Sequence, residues 1–238
     1  MIYHRILQRL FSKSALLELL IAGGVLLLLS LIVLVGDLDF ILQQYLYSEE
    51  KGWAFGKSEP WNFLYEYGPI PGLILGAGGV LFLLLSFFGH PFRHYRKGAL
   101  FLTLILFFGG WLLVHVFKET MDRPRPREVQ TFQGESEFVP LFERGESNEV
   151  AGNSFPSGHA AIAFYLMSPF FMLRDRHKGW AVLCLLLGVS YGLFMGFARM
   201  SQGGHFFSDA LWSGGFVYLS CWFFYYALNL REAGFRGG

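Results

Sequence analysis

Apolar residues fall in six continuous runs, separated by polar segments. Each run is close to the length that a bilayer-spanning helix needs, although the fourth is short. The runs cover residues 15–35, 68–88, 98–117, 157–173, 180–198 and 209–228. Apolar residues within the runs are continuous rather than alternating, which disfavours the strands of a membrane β-barrel. The pattern predicts an all-α, polytopic membrane protein with six transmembrane helices, and the length predicts a single domain over residues 1–238.

Composition agrees with a membrane protein. Charged residues make up 16% of the chain, against roughly 25% in soluble domains. The net charge of +1 gives a nucleic-acid partner no electrostatic support. The first apolar run follows Arg5, Arg9 and Lys13 as a signal peptide would, but it is longer than a signal core. We therefore expect a retained first span.

Basic residues give the orientation. Lys and Arg are more numerous in the N-terminal segment, in the loops after the second and fourth runs, and in the tail than in the other loops. Both termini are therefore predicted to be cytoplasmic. The difference in the number of basic residues between the two faces is small. It widens if Lys118, Arg125 and Arg199, which lie on the opposite, outer face, are set aside because they serve the chemistry.

The two long outer loops are predicted to differ in role. Residues 36–67 are rich in aromatic side chains, which is typical of the lipid headgroup zone, so this loop is predicted to anchor at the surface. Contact with a lipid substrate is the alternative. Residues 118–155 carry scattered carboxylates without the spacing of a metal loop. We interpret them as a solvated lid over a basic pocket.

Residues 153–159, with the sequence NSFPSGH, precede the fourth run. Asn153 and Ser154 are good N-cap residues, and Pro156 suits a first helical turn. The free backbone N–H groups at such a helix start would be those of Ser157, Gly158 and His159. They form an anion site, and His159 adds a proton donor. The alternative is a capped helix start with an incidental histidine.

A basic cluster follows the third run. Pro124 and Pro126 disfavour helical backbone in the residues before them, so this segment is stiff and extended. Lys118 stays on the helix end, and Arg125 can fold back towards it. The alternative is a basic membrane flank, which explains the charge but not the two prolines around Arg125.

The third cluster joins the fifth and sixth runs. Arg199 ends the fifth run, and His205 lies four residues before Asp209, so the last two share a face in a helical turn. The carboxylate could accept a hydrogen bond from one imidazole nitrogen and leave the other as a nucleophile. The alternative is a polar turn with an N-capping aspartate. Unpartnered charges at membrane depth are costly, which favours the functional interpretation.

The three clusters share one predicted face of the membrane. Together they supply three cations, backbone donors and two histidines. This set suits a phosphate, because phosphoryl transfer is catalysed mainly by positioning and charge stabilisation. Arginine presents a planar fork that matches phosphate oxygens.

The clusters also resemble a known family, the type 2 phosphatidic acid phosphatase (PAP2) superfamily. The matching motifs are Lys118-x6-Arg125-Pro126, then Pro156-Ser157-Gly158-His159, then Arg199-x5-His205-x3-Asp209. They occur in order between the third and sixth runs and cover residues 118–209. One departure is Ala198, where the family commonly has serine; its loss removes a supporting hydroxyl.

The resemblance implies a role for each matching residue. His205 would attack phosphorus and form a phosphohistidine, Asp209 would orient His205, and His159 would protonate the leaving oxygen and later help to activate water. The residues that would hold the phosphoryl oxygens are Lys118, Arg125, Ser157, Gly158 and Arg199. The family works without a metal or other cofactor. Arg123 and Arg127 are not family ligands by position.

A membrane lipid phosphatase or pyrophosphatase is the function that the resemblance implies. Its substrate would be a phospholipid, isoprenoid or lipid A phosphate in the outer leaflet, such as undecaprenyl pyrophosphate, phosphatidylglycerol phosphate or lipid A. We expect a bacterial inner-membrane enzyme with its active site facing the periplasm. Two alternatives stay open: a phosphotransferase that passes the phosphate to a second lipid, and a non-catalytic lipid-binding or translocating protein.

Overall fold

The computed structural model describes residues 2–145 and 153–231, so Glu146 and Glu149 of the loop 118–155 lie outside the described residues. The described residues form α-helices and short 3-10 or π segments without a β-strand. The all-α prediction is confirmed. The helices are α1 (Ile2–Leu10), α2 (Lys13–Val35), α3 (Leu38–Leu46), α4 (Trp61–Tyr67), α5 (Ile70–Phe88), α6 (Arg96–Ile105), α7 (Leu113–Met121), α8 (Gly158–Phe164), α9 (Pro169–Leu173), α10 (Lys178–Ser201) and α11 (Phe207–Ala227).

Four helical stretches in the described part of the chain are long and apolar enough to cross a membrane. They are Lys13–Val35, Trp61–Phe88, Pro91–Glu128 and Lys178–Ser201. The third joins α6 to α7 through a π-helical turn, Leu106–Leu112, and is longer than the predicted run. The helix α11 is not among the four, and the count of six spans stays a prediction.

The predicted fourth span is a short, interrupted helix. Gly158–Leu173 is divided by a 3-10 turn before Pro169, whose ring nitrogen has no proton to donate to the helix. This helix is central, because Ala160, Ala161 and Ala163 are fully buried. It contacts α10 and α11 rather than lying at the edge of the bundle. A central helix has no need to match the bilayer thickness on its own.

The aromatic first loop packs against the protein more than we expected. Phe40, Tyr47 and Trp53 surround the buried ring of Phe132 in the third loop, with centroid distances of 5.8, 5.3 and 5.5 Å. Phe206, which follows His205 in the sequence, joins the same core. The predicted surface anchor is therefore also a structural cover for the site. The third loop keeps exposed carboxylates but is packed through Phe132, which corrects its interpretation as a merely solvated lid.

An ion pair ties the opposite end of the bundle together. Arg174, after α9, donates to Glu18 of α2 at 2.6 Å, and its guanidinium lies 3.7 Å from the centre of the Tyr225 ring. The hydroxyls of Tyr218 and Tyr226 also donate to Glu18. Three segments far apart in the sequence therefore share one polar contact.

Replacing Arg174 with methionine should lower the stability of the folded protein. Glu18 would keep its charge in a partly buried place and lose its cation, which costs about 2 kcal/mol after allowance for its partial exposure. The measurement is the thermal unfolding midpoint in detergent, with the exposed residue Lys178 changed to methionine as the control. Equal midpoints for the two variants would contradict the proposed contribution of the ion pair.

Candidate active site

The three predicted clusters meet at one end of the helix bundle, where α7 and α10 end and α8 and α11 begin. Lys118 Nζ donates to the carbonyl of Asn153 at 2.6 Å, which joins the first cluster to the second. The N–H of Ser157 donates to the carbonyl of Asp209 at 3.3 Å, which joins the second to the third. The N–H of Arg127 donates to the carbonyl of Gly203 at 3.0 Å and closes the ring.

The helix start differs in detail from the prediction. Ser157 is the N-cap, and its hydroxyl accepts from the N–H of Ala160 at 3.4 Å, so Pro156 precedes the helix and neither Asn153 nor Ser154 caps it. The N–H of Ser157 is already bonded to Asp209, so it is not a free donor. The N–H groups of Gly158 and His159 remain at the first turn, where helix geometry supplies no acceptor.

His205 is held by a backbone carbonyl rather than directly by Asp209. Its Nδ1 lies 2.7 Å from the carbonyl oxygen of Ser154 and 3.5 Å from Asp209 Oδ2. Because a carbonyl only accepts, the Nδ1 nitrogen carries the proton, and the lone pair of the neutral ring is on Nε2. Ser154 Oγ in turn donates to Asp209 Oδ2 at 2.5 Å. The predicted direct bond between His205 and Asp209 is therefore replaced by two hydrogen bonds, one from His205 to Ser154 and one from Ser154 to Asp209.

The environment of His205 favours the neutral ring. Burial lowers the pKa of its imidazole to about 4, the nearby carboxylate of Asp209 opposes this shift, and the charges of Arg199 and Lys118 add to it. The neutral form therefore predominates at pH 7, which leaves Nε2 unprotonated. A nucleophilic nitrogen at neutral pH follows from this burial.

The acid limb of the kcat/KM profile should lie near pH 4. A histidine whose pKa is lowered keeps its lone pair until the pH falls through the lowered value, whereas an exposed histidine would lose it near 6.5. The measurement is kcat/KM against pH, corrected for ionisation of the substrate phosphate. An enzyme-derived limb between about pH 6 and 7 would show that His205 is not the neutral buried base described above.

Two arginines of the site have hydrogen-bond donors that no described residue uses. The Nε atoms of Arg125 and Arg199 are buried, and neither has a hydrogen-bond partner among the described residues. Such donors are costly to leave unpaired, and phosphate oxygens are the acceptors that a guanidinium fits best. Lys118 lies close enough that its charge and those of Arg125 and Arg199 act on one another.

His159 lies on the same group of cations. Burial lowers the pKa of its imidazole to about 4, and the charges of Arg199, Lys118 and Arg125 add to this shift. Its ring stacks on Tyr65 of α4, with centroids 5.4 Å apart, and the Arg199 guanidinium lies 4.5 Å from the centre of the same tyrosine ring. Tyr65 therefore connects the two residues and forms part of the site wall.

Replacing Gly204 with alanine should weaken catalysis by moving Arg199. A Cβ at residue 204 would lie 2.6 Å from Nη2 and 3.0 Å from Cζ of Arg199, so the guanidinium has to shift. We expect kcat/KM to fall about 10- to 100-fold, the usual cost of a displacement near 1 Å. Gly78→Ala is the control, because a Cβ there meets nothing within 4 Å. Unchanged kinetics for the Gly204 variant would remove Arg199 from the phosphate-binding group.

Several residues of the site are not evident from the sequence. Arg123 is fully buried and pairs with Asp209 at 2.7 Å and with Asp39 of α3 at 2.8 Å. Ser154 and Tyr65 bond to or stack on the two histidines. The prolines around Arg123 were a sequence signal that this segment has a special structure. Asp39 and Tyr65 lie in the first loop, where no motif surrounds them.

Comparison with known proteins bears on the same residues. A family model described as the PAP2 superfamily matches residues 97–233, more than half of the chain. The chain belongs to the PAP2 superfamily. The match contains every predicted site residue, whereas Asp39 and Tyr65 lie before it. As a member of this superfamily with membrane-spanning helices, the protein is a membrane lipid phosphatase.

Individual PAP2 relatives include phosphatases named for lipid A. The chain is 40% identical over 156 residues to a lipid A 4'-phosphatase of Francisella tularensis subsp. novicida, a match that covers 64% of this chain and 68% of the relative. It is 28% identical over 114 residues to a lipid A 1-phosphatase of Rhizobium etli, covering 48% of this chain and 43% of the relative. No solved structure matches the chain.

Proposed function

We propose that this PAP2 protein removes a phosphate from lipid A at the periplasmic face of the bacterial inner membrane, through a phosphohistidine intermediate. The observation that carries the chemistry is a pair of buried Nε donors, on Arg125 and Arg199, that have no partner in the described part of the chain, together with the neutral His205. The substrate class rests on the lipid A 4'-phosphatase relative, whose match covers most of both chains.

The first step is an attack of His205 Nε2 on phosphorus. A nitrogen–phosphorus bond forms, the bond from phosphorus to the lipid oxygen breaks, and His159 gives a proton to that oxygen. Because the pKa of His159 in the free site is about 4, the ring acts as an acid only when the bound phosphate offsets the neighbouring cations and raises that pKa again. The phosphoryl oxygens are held by Lys118, Arg125 and Arg199, with the hydroxyl of Ser157 and the N–H of Gly158 at the helix start. The imidazole becomes cationic, and the carboxylate of Asp209 lies 3.5 Å from its Nδ1.

The second step returns the enzyme to its starting state. His159, now neutral, takes a proton from a water molecule as that water attacks phosphorus. The nitrogen–phosphorus bond breaks, inorganic phosphate leaves, and His205 again carries its proton on Nδ1 and its lone pair on Nε2. Every proton is accounted for by the two histidines and water, and the proposed mechanism uses no metal ion.

The experiment is a panel of purified lipid phosphates given to the purified full-length protein in detergent. We expect phosphate release from lipid A in the presence of a chelator, with mass spectrometry placing the lost phosphate at the 4'-position. Alkaline quenching during turnover should trap a phosphoenzyme that is stable to base and labile to acid. Release from phosphatidylglycerol phosphate or undecaprenyl pyrophosphate but not from lipid A would overturn the substrate proposal and leave the chemistry intact.

Orientation has its own test. Cysteines introduced at the exposed positions Glu137 and Lys178 should differ in their labelling by a membrane-impermeant maleimide added to intact spheroplasts. The former lies on the site side of the bundle and the latter on the opposite side, so we expect labelling at Glu137 only. The reverse pattern would place the active site in the cytoplasm.

A further inference from the structure

A buried polar network lies next to His205, around Ser208 and Asp209. Its central member is Arg123, whose side chain is fully buried. The guanidinium donates to Asp209 Oδ1 at 2.7 Å, to Asp39 Oδ2 at 2.8 Å and to Ser208 Oγ at 2.8 Å. Its Nε donates to the carbonyl of Val139 at 2.9 Å. Unlike Arg125 and Arg199, Arg123 has no buried donor without a partner among the described residues.

The helix α3 reaches the segment 205–208, which contains His205, through two side chains one turn apart. Asp39 Oδ1 accepts from the N–H of Ser208 at 2.8 Å, and Gln43 Nε2 donates to the carbonyl of His205 at 2.9 Å. Both side chains are buried. They therefore fix the backbone at His205 itself and three residues later.

Arg123 also contacts the neighbours of His205 in other ways. Its carbonyl accepts from the N–H of Ser154 at 2.9 Å, and the carbonyl of Ser154 is the group that receives the Nδ1 proton of His205. Its guanidinium lies 4.4 Å from the centre of the Phe206 ring. One arginine therefore holds the acceptor that sets the tautomer of the nucleophile and the carboxylate beside that nucleophile.

The charges of this network are unequal. Two carboxylates, those of Asp39 and Asp209, share the single guanidinium of Arg123, so the group carries one excess negative charge. The His205 ring gains one positive charge when Nε2 bonds to phosphorus. A fixed negative charge in a buried place stabilises the cation that develops there, and it does not have to reorganise during the reaction.

We propose that Asp39 and Arg123 are positioning residues for the phosphoryl transfer. They fix His205 through Ser154, Ser208 and Asp209. Asp39 also offsets the positive charge of Arg123, so the negative charge of Asp209 remains to balance the phosphorylated ring. The proposal rests on the phosphohistidine mechanism proposed above and adds α3, which lies before the part of the chain that matches the family model.

The test compares two inhibitors that use different parts of the site. Inorganic phosphate binds through the cations, whereas vanadate also forms a bond to the nucleophilic nitrogen. For Asp39→Asn and Arg123→Lys we expect kcat to fall about 100-fold and the Ki of vanadate to rise at least about tenfold. The Ki of phosphate should stay within about twofold, because the cations are untouched.

The chain offers a matched control for these variants. Arg144 and Asp122 form an ion pair at 3.2 Å in which the arginine side chain is 69% exposed. Asp122→Asn and Arg144→Lys make the same chemical changes away from His205, so kcat and both Ki values should stay at the wild-type values. Ser208→Ala removes one hydroxyl and keeps both buried ion pairs, and we expect the same pattern at about fivefold.

The outcomes separate positioning from a structural role. A merely structural role would reduce the amount of folded enzyme and leave both Ki values unchanged, because inhibition constants do not depend on enzyme concentration. Unchanged Ki values for both inhibitors in Asp39→Asn and Arg123→Lys would overturn the proposal. If these two variants do not fold, unchanged Ki values in Ser208→Ala would overturn it instead. A wild-type protein that forms no phosphohistidine and ignores vanadate would instead refute the proposed function.

Discussion

Replacing His205 with alanine should reduce phosphate release from a lipid phosphate by about four orders of magnitude or more. The variant keeps the cations and so binds the substrate phosphate, but it has no nitrogen to form the intermediate. Its residual rate would reflect charge stabilisation alone. The measurement is kcat/KM on the purified protein, combined with alkaline quenching to detect the phosphoenzyme, which should be present in the wild type and absent in the variant.

The control for this variant is His115→Ala. That ring is exposed and stacks on Trp111 at a centroid distance of 5.6 Å, so its loss should leave the rate unchanged. Release by the His205 variant within about tenfold of the wild type would contradict nucleophilic catalysis. It would favour a protein that binds or translocates lipid without turning it over.

Changing His159 to glutamine should slow the enzyme by a factor that depends on the leaving group of the substrate. For a lipid phosphate the departing alkoxide needs a proton, and we expect kcat to fall about 10²- to 10⁴-fold. For an aryl phosphate such as p-nitrophenyl phosphate the departing phenolate is stable without one, so the loss should be much smaller. The ratio of the two losses is the quantity to measure, because it does not depend on the amount of active protein.

Equal losses on both substrates would show that His159 binds or packs rather than donates a proton. Tyr65→Phe serves as the neighbouring control, because the stacked ring stays in place against His159 and Arg199. We expect it to affect both substrates to the same small extent.

The sequence predicts the parts of the site that carry local signals. Charged residues in an apolar chain, such as Arg199 and Asp209, need partners, and prolines around Arg125 fix an extended backbone. These signals indicated the cations and both histidines. The cap at Ser157 instead of Asn153 or Ser154 was missed, because all three residue types suit an N-cap and only tertiary contact with Asp209 selects among them.

The remaining differences arise from contacts between distant segments. Asp39 and Arg123 are 84 residues apart, and neither position reveals that one guanidinium will neutralise carboxylates from α3 and α11. Aromatic residues of the first loop resemble membrane anchors because a headgroup zone and a packed loop select the same side chains. Whether the short fourth helix spans the bilayer stays a prediction, because burial among helices and burial in lipid both require apolar residues.

The contacts of α3 with the segment 205–208 have a consequence for protein engineering. A chimera that joins residues 97–233 of this chain to the N-terminal half of another superfamily member would contain all the motif residues. It would be active only if the new half presents a carboxylate at the place of Asp39 and an amide at the place of Gln43. Interchangeability between relatives is therefore set by a helix outside the shared motifs.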